Sequence, residues 1–82
     1  MATTITVRYF AGARAAAGTE EEKVTAANLE SLLGELAGRH GAPLGKVLDV
    51  ASFLVNGTAC RDRSATLPAG CTVDVLPPFA GG

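Results

Sequence analysis

The stretch NLESLLGELAGRHG, residues 28–41, carries the decisive pattern of the chain. Leu29, Leu32, Leu33, Leu36 and His40 recur at i, i+3, i+4, i+7 and i+11, which places them on one side of a helix. Asn28 stands where an N-cap belongs, Glu30 lies in the first turn, and Arg39 precedes Gly41, a natural C-terminal stop. Gly34 and Gly38 fall on the opposite face, each at a cost of about 0.5–1 kcal/mol against alanine. Such a helix needs a sheet beneath it to persist.

The flanking segments supply that sheet. In TITVRYF (4–10), Ile5, Val7 and Tyr9 alternate with Thr6, Arg8 and Phe10, the signature of a half-buried first strand. Gly12 and Gly18 break the alternation, and EEEKVTA (20–26) predicts a second, polar strand whose acidic run Glu20–Glu22 forms a solvated hairpin edge. After the helix, GAPLGKVLDVA (41–51) is expected to be a loop. SFLVNG (52–57) predicts a third strand with Phe53 and Val55 on one face, closed by an Asn56-Gly57 hairpin turn. A short strand is expected around Ala59–Arg61. RDRSATLPAG (61–70) follows as a loop with Leu67 tucked beneath it and a turn at Pro68–Gly70. CTVDVL (71–76) is the last strand, with Val73 and Val75 toward the core and Asp74 and Leu76 on the other side. The expected core is Val7, Leu32, Leu33, Leu36, Val55 and Val75. The fold class is therefore α+β, a sheet of four to five strands packed on one main helix, in a single domain over residues 1–82.

Composition narrows the function. With 48% hydrophobic and 18% charged residues, the 82-residue chain can build a core, though a small domain holds little stability in reserve. A formal net charge of −1, with seven scattered basic residues, leaves no electrostatic footprint for nucleic acid or an anionic membrane. No segment has the length and apolarity of a membrane span, and the N-terminal MATTITVRYF lacks a basic leader and apolar signal core, so a cytoplasmic location is expected. Cys60 and Cys71 lack CxxC spacing, which argues against a disulfide framework or a metal site and for two semi-buried strand residues. His40, the only histidine, sits in the helix stripe, where packing or capping suits it better than general-base chemistry. No serine has an identifiable base and no glycine-rich phosphate loop follows a strand, so an enzyme acting alone is the weaker expectation.

The remaining chemistry lies in VLPPFAGG (75–82). Pro77 and Pro78 cannot continue a central strand and keep the chain extended as it leaves the sheet. Residues 77–82 reach at most roughly 20 Å at about 3.3 Å each, enough to enter another protein's buried site. Gly81 and Gly82 have no Cβ and fit a channel too narrow for ordinary side chains. The reactive group at the tip is the α-carboxylate of Gly82, which becomes an acyl donor once it is activated as an adenylate. A sheet covered by one helix also leaves its outer face open, and Phe10 and Leu76 are apolar positions on that face, a candidate docking patch beside the tail.

The segments VRYFAGARAAAG, LVNG and TVDVLPPFAGG resemble the MoaD/ThiS family of sulfur carriers, most of all the small subunit of molybdopterin synthase, over essentially the whole chain. The ending Pro77-Pro78-Phe79-Ala80-Gly81-Gly82 is the specific part of the match. The resemblance implies a ubiquitin-like β-grasp fold. It implies no bound cofactor and no metal; ATP is used by an E1-like (MoeB-like) adenylyltransferase that activates Gly82. Gly82 would pass through an adenylate to a thiocarboxylate (1-thioglycine). The tail of Pro77, Pro78, Phe79, Ala80 and Gly81 would then thread into a MoaE-like large subunit, where sulfur reaches cyclic pyranopterin monophosphate in molybdenum cofactor biosynthesis. Related carriers serve cysteine, thiamine or transfer-RNA thiolation, and others tag lysines as protein modifiers. Both classes remain open on sequence alone.

Overall fold

The computed structural model describes residues 3–78 of the chain. β1 (Thr3–Tyr9) runs into a short helix α1 (Gly12–Ala17) and returns as β2 (Glu21–Ala26). The helices α2 (Leu29–His40) and α3 (Ala42–Val50) follow, then β3 (Ser52–Val55), β4 (Thr58–Ala59) and β5 (Thr72–Leu76). The five strands form one mixed sheet in the order β2-β1-β5-β3-β4, with β1 and β5 parallel and the other neighbours antiparallel. This is the ubiquitin-like β-grasp arrangement, in which the last strand comes to rest at the centre of the sheet.

The expected alternation holds in β1, where Ile5, Val7 and Tyr9 are buried, and in β5, where Val73 and Val75 are. α2 presents Leu29, Leu32, Leu33 and Leu36 to that face. Its start is a reciprocal capping box: the Ser31 N–H donates to Asn28 Oδ1 at 2.8 Å, and the Asn28 N–H donates to Ser31 Oγ at 3.2 Å. Gly41, at φ 80°, ends α2 and opens α3, a conformation that glycine adopts without the steric cost of a Cβ. Leu67 is buried beneath its loop, and the Cys71 N–H closes the turn on the Pro68 carbonyl at 3.2 Å.

Several expectations need correction. Residues 42–50 are not a loop but α3, which buries Leu44 and Leu48 one turn apart, so α2 is the longest of three helices among the described residues and not the single covering one. Proline at the start of α3 is compatible with a helix because the first N–H groups have no intrahelical partner. The break after β1 contains α1, which buries Ala13 and ends at Gly18, φ 75°. Val55 is only half-buried, because β3 ends there against a two-residue β4 that leaves this corner of the sheet open; Phe53 is the β3 residue in the core. β4 covers Thr58–Ala59, earlier than expected, because the hairpin turn at Asn56 and Gly57 (φ 50° and 83°) is only two residues long. Cys60 lies just past β4 and is half-buried, and Cys71 is buried at the entry to β5.

Candidate functional site

The position of β5 determines where the chain leaves the sheet. It lies between β1 and β3, paired through Tyr9↔Val75 on one side and Ser52↔Leu76 on the other. Asn56 secures the entry to this strand: its N–H donates to the Thr72 carbonyl at 2.8 Å, and its Oδ1 accepts from the Thr72 N–H at 3.0 Å. At the exit, Leu76 and Pro77 are half-buried and Pro78 is exposed. The tail residues Phe79, Ala80, Gly81 and Gly82 lie outside the described residues.

Because β1 and β5 are parallel, their C-terminal ends coincide, and the Phe10 N–H donates to the Val75 carbonyl at 3.2 Å. Phe10 and Leu76, both half-buried, are thus brought together on the outer face at the mouth of the tail. Val50, the last residue of α3, is 62% exposed, the one large hydrophobic residue that exposed among the described residues. Sequence reasoning missed it because residues 41–51 were expected to be a loop. Had α3 been recognised, Val50 would have stood out as an apolar residue off the Leu44/Leu48 stripe.

Behind this apolar edge runs a row of charge. Glu21, Arg8 and Asp74 are laterally paired on the outer face across β2, β1 and β5. Arg8 Nε lies 3.3 Å from Asp74 Oδ1, and its guanidinium carbon is 5.4 Å from the centre of the Phe10 ring, within cation–π range. Asp74 Oδ1 is buried and has no aligned hydrogen-bond donor, so the contact with Arg8 is chiefly coulombic. Arg14 and Glu20, 3.5 Å apart, share with Arg8 and Phe10 an open groove of about 500 Å³.

A second polar cluster bridges β1, β2 and the end of α2. The Tyr9 hydroxyl donates to Glu22 Oε2 at 2.6 Å, His40 Nε2 bonds to the same oxygen, and Arg39 donates to Glu22 Oε1 at 3.2 Å. Glu22 is therefore half-buried and fully engaged, which corrects the expectation of a wholly solvated acidic run; Glu20 and Glu21 are exposed. Burial alone would push the Glu22 carboxyl up, but the hydrogen bonds from Tyr9 and His40, the adjoining positive charge and Arg39 together hold it below the usual glutamate value. Burial, followed by the bond to Glu22, pushes the Tyr9 phenol well above its ordinary range. The Tyr9 and His40 rings meet edge to face at 6.0 Å. Each member satisfies another, so the cluster ties helix to sheet and leaves no free base. Burial likewise pushes the Cys71 thiol up. Among the described residues no group of three metal-ligating side chains occurs, and no helix is long and apolar enough to cross a membrane.

The sequence model of the ThiS family matches residues 7–82. No curated protein sequence matches the chain at a significant level. Among solved structures, it is similar to a protein described as a molybdopterin converting factor subunit 1 from Pyrococcus furiosus, at 26% identity and TM-score 0.78, covering 94% of this chain and 99% of that one. It is similar also to SAMP1 from Haloferax volcanii, at 26% identity and TM-score 0.82, covering 96% and 99%. A complex of subunits 1 and 2 of molybdopterin-converting factor from Helicobacter pylori shares the fold at 24% identity and TM-score 0.75, covering 98% and 100%.

Proposed function

This chain belongs to the ThiS family, and we propose that it is a sulfur carrier whose Gly82 bears the reactive group. The observation that carries this reading is the Pro-Pro-Phe-Ala-Gly-Gly ending, placed directly after the central strand of a β-grasp sheet. An E1-like partner joins the Gly82 carboxylate to the α-phosphate of ATP and releases pyrophosphate. Hydrosulfide from a sulfur donor then attacks the acyl carbon, AMP departs, a proton is released, and a thiocarboxylate remains. We assign molybdopterin synthesis as the destination, with a MoaE-like large subunit as acceptor and cyclic pyranopterin monophosphate as substrate. The likeness to molybdopterin converting factor subunit 1 and the apolar Phe10/Leu76 edge support this assignment. In this scheme the acid–base groups of the final transfer belong to the partner.

The likeness to SAMP1, whose name in full is small archaeal modifier protein 1, favours a second reading. An acyl-adenylate attacked by a lysine amine instead of sulfur yields an isopeptide, and the protein is then a modifier. Capture from lysate of the native host separates the two: a co-purifying large synthase subunit supports the carrier, and a ladder of lysine conjugates supports the modifier.

The chemistry at Gly82 is tested by ATP-dependent adenylation with the host's E1-like enzyme, followed by mass spectrometry for the thiocarboxylate. Adding one residue after Gly82 turns its carboxylate into an internal amide, and activation there is expected to fail. Deleting Gly82 leaves a competent carboxylate one residue short, a displacement expected to slow the reaction by about 10²-fold or more. Both variants keep the wild-type denaturation midpoint. Thiocarboxylation of the extended protein at the wild-type rate, without trimming, overturns the carrier reading.

A further inference from the structure

The charged row beside Phe10 and Leu76 has a consequence for partner choice. Arg8 and Asp74 adjoin Leu76, the last strand residue before Pro77, so a partner seated over the strand exit would remove water from both. Asp74, with 15% of its side chain exposed, is already matched by Arg8 Nε. Arg8 is 49% exposed, and Asp74 is its only charged contact among the described residues, so its terminal nitrogens lose their water on docking. Buried guanidinium donors without acceptors weaken a complex strongly, whereas a carboxylate can take both terminal nitrogens in a bidentate pair. Contact with Asp74 on one side and the Phe10 ring on the other fixes the guanidinium beforehand, so little side-chain entropy is lost on pairing. Glu21, one strand further out on the sheet edge, is exposed and screened by solvent.

We propose that Arg8, braced by Asp74 and Phe10, is a partner-selecting residue: the adenylating partner that covers Phe10 and Leu76 places a carboxylate against the terminal nitrogens of Arg8. Surfaces that offer only apolar groups or cations there are rejected, which is selection against wrong partners as well as for the right one. The inference rests on the carrier reading and names its first partner, the one that sulfur carriage and protein modification share.

The test is adenylation kinetics with the host's E1-like enzyme as the carrier concentration is varied, with circular dichroism on every variant. Arg8→Glu is expected to raise KM for the carrier about tenfold or more while kcat at saturating carrier holds. Arg8→Lys recovers only part of the loss, since an ammonium is not a fork. The exchange Arg8→Asp with Asp74→Arg keeps an ion pair on the face but moves the guanidinium one strand over, by about 4.8 Å; its KM stays raised. The wild-type KM rises with salt, and that of Arg8→Gln is nearly flat. A wild-type KM in folded Arg8→Glu, or full recovery in the exchanged pair, overturns the proposal and leaves Arg8 a structural residue. If the wild-type protein itself is not adenylated, the carrier reading falls and takes this inference with it.

Discussion

At Glu22 a single carboxylate takes hydrogen bonds from Tyr9, His40 and Arg39 and links β1, β2 and α2. Its proton affinity is lowered by folding, so its contribution to stability is complete above the ordinary glutamate value of 4.5 and is lost as pH falls through the depressed folded value. Glu22→Ala should cost about 1–3 kcal/mol at neutral pH, because it leaves part-buried donors without an acceptor. The variant should also show a shallower loss of stability on acidification. Urea denaturation from pH 7 to pH 3 measures both, and parallel acid limbs for the two proteins would rule the linkage out. None of this was legible in the sequence: Glu20, Glu21 and Glu22 are identical in kind, and only the strand register turns the last of the three inward while Glu21 and Lys23 beside it face water. Phe10 and Leu76 were legible, because strict alternation in β1 and β5 fixes which face a side chain takes.

For the elements, α2 shows how periodicity and capping agree. Leu36 is fully buried, and Leu36→Ala should cost about 2–5 kcal/mol, a large share of a small domain's stability. Gly34, on the opposite and exposed face, has nothing within 4 Å of the position a Cβ would occupy, so Gly34→Ala should add about 0.5–1 kcal/mol. Chemical denaturation of the two variants tests one register twice, since a helix rotated by a third of a turn would blunt both effects. α2 could be read because four leucines at helical spacing and Asn28 at the N-cap speak for the same helix. α3 could not, although Leu44, Val47 and Leu48 have helical spacing. Gly41, Pro43 and Gly45 mimic a loop, and only the packing of Leu44 and Leu48 against the core outweighs those weak formers. α1 is six residues long, too short for any period to show.

At the scale of the whole molecule, the proposed sulfur carriage requires one acceptor atom, and the topology bears directly on which it is. The parallel pairing of β1 with β5 puts the last strand in the middle of the sheet, and that strand ends at Leu76, with Pro77 half-buried and Pro78 exposed. The sequence announced this exit because two prolines cannot extend a central strand. It could not announce the exposed Val50, which stands out only once residues 42–50 are seen to be a helix. The two thiols are the rival sulfur sites. Cys71 is 2% exposed with its thiol pushed up by burial, so it offers little thiolate and little access to a sulfur donor. Cys60 is half-buried, and its Sγ donates to the Asp62 carbonyl oxygen at 3.5 Å. A Cys60→Ser, Cys71→Ala protein should therefore accept sulfur at Gly82 at the wild-type rate, with alanine at 71 chosen so that no unpaired hydroxyl enters the core. Intact mass after incubation with ATP, the host's activating enzyme and its sulfur donor should show the thiocarboxylate increment on both proteins. A folded double variant that no longer gains sulfur would place the cargo on a cysteine persulfide and not on the terminal carbonyl.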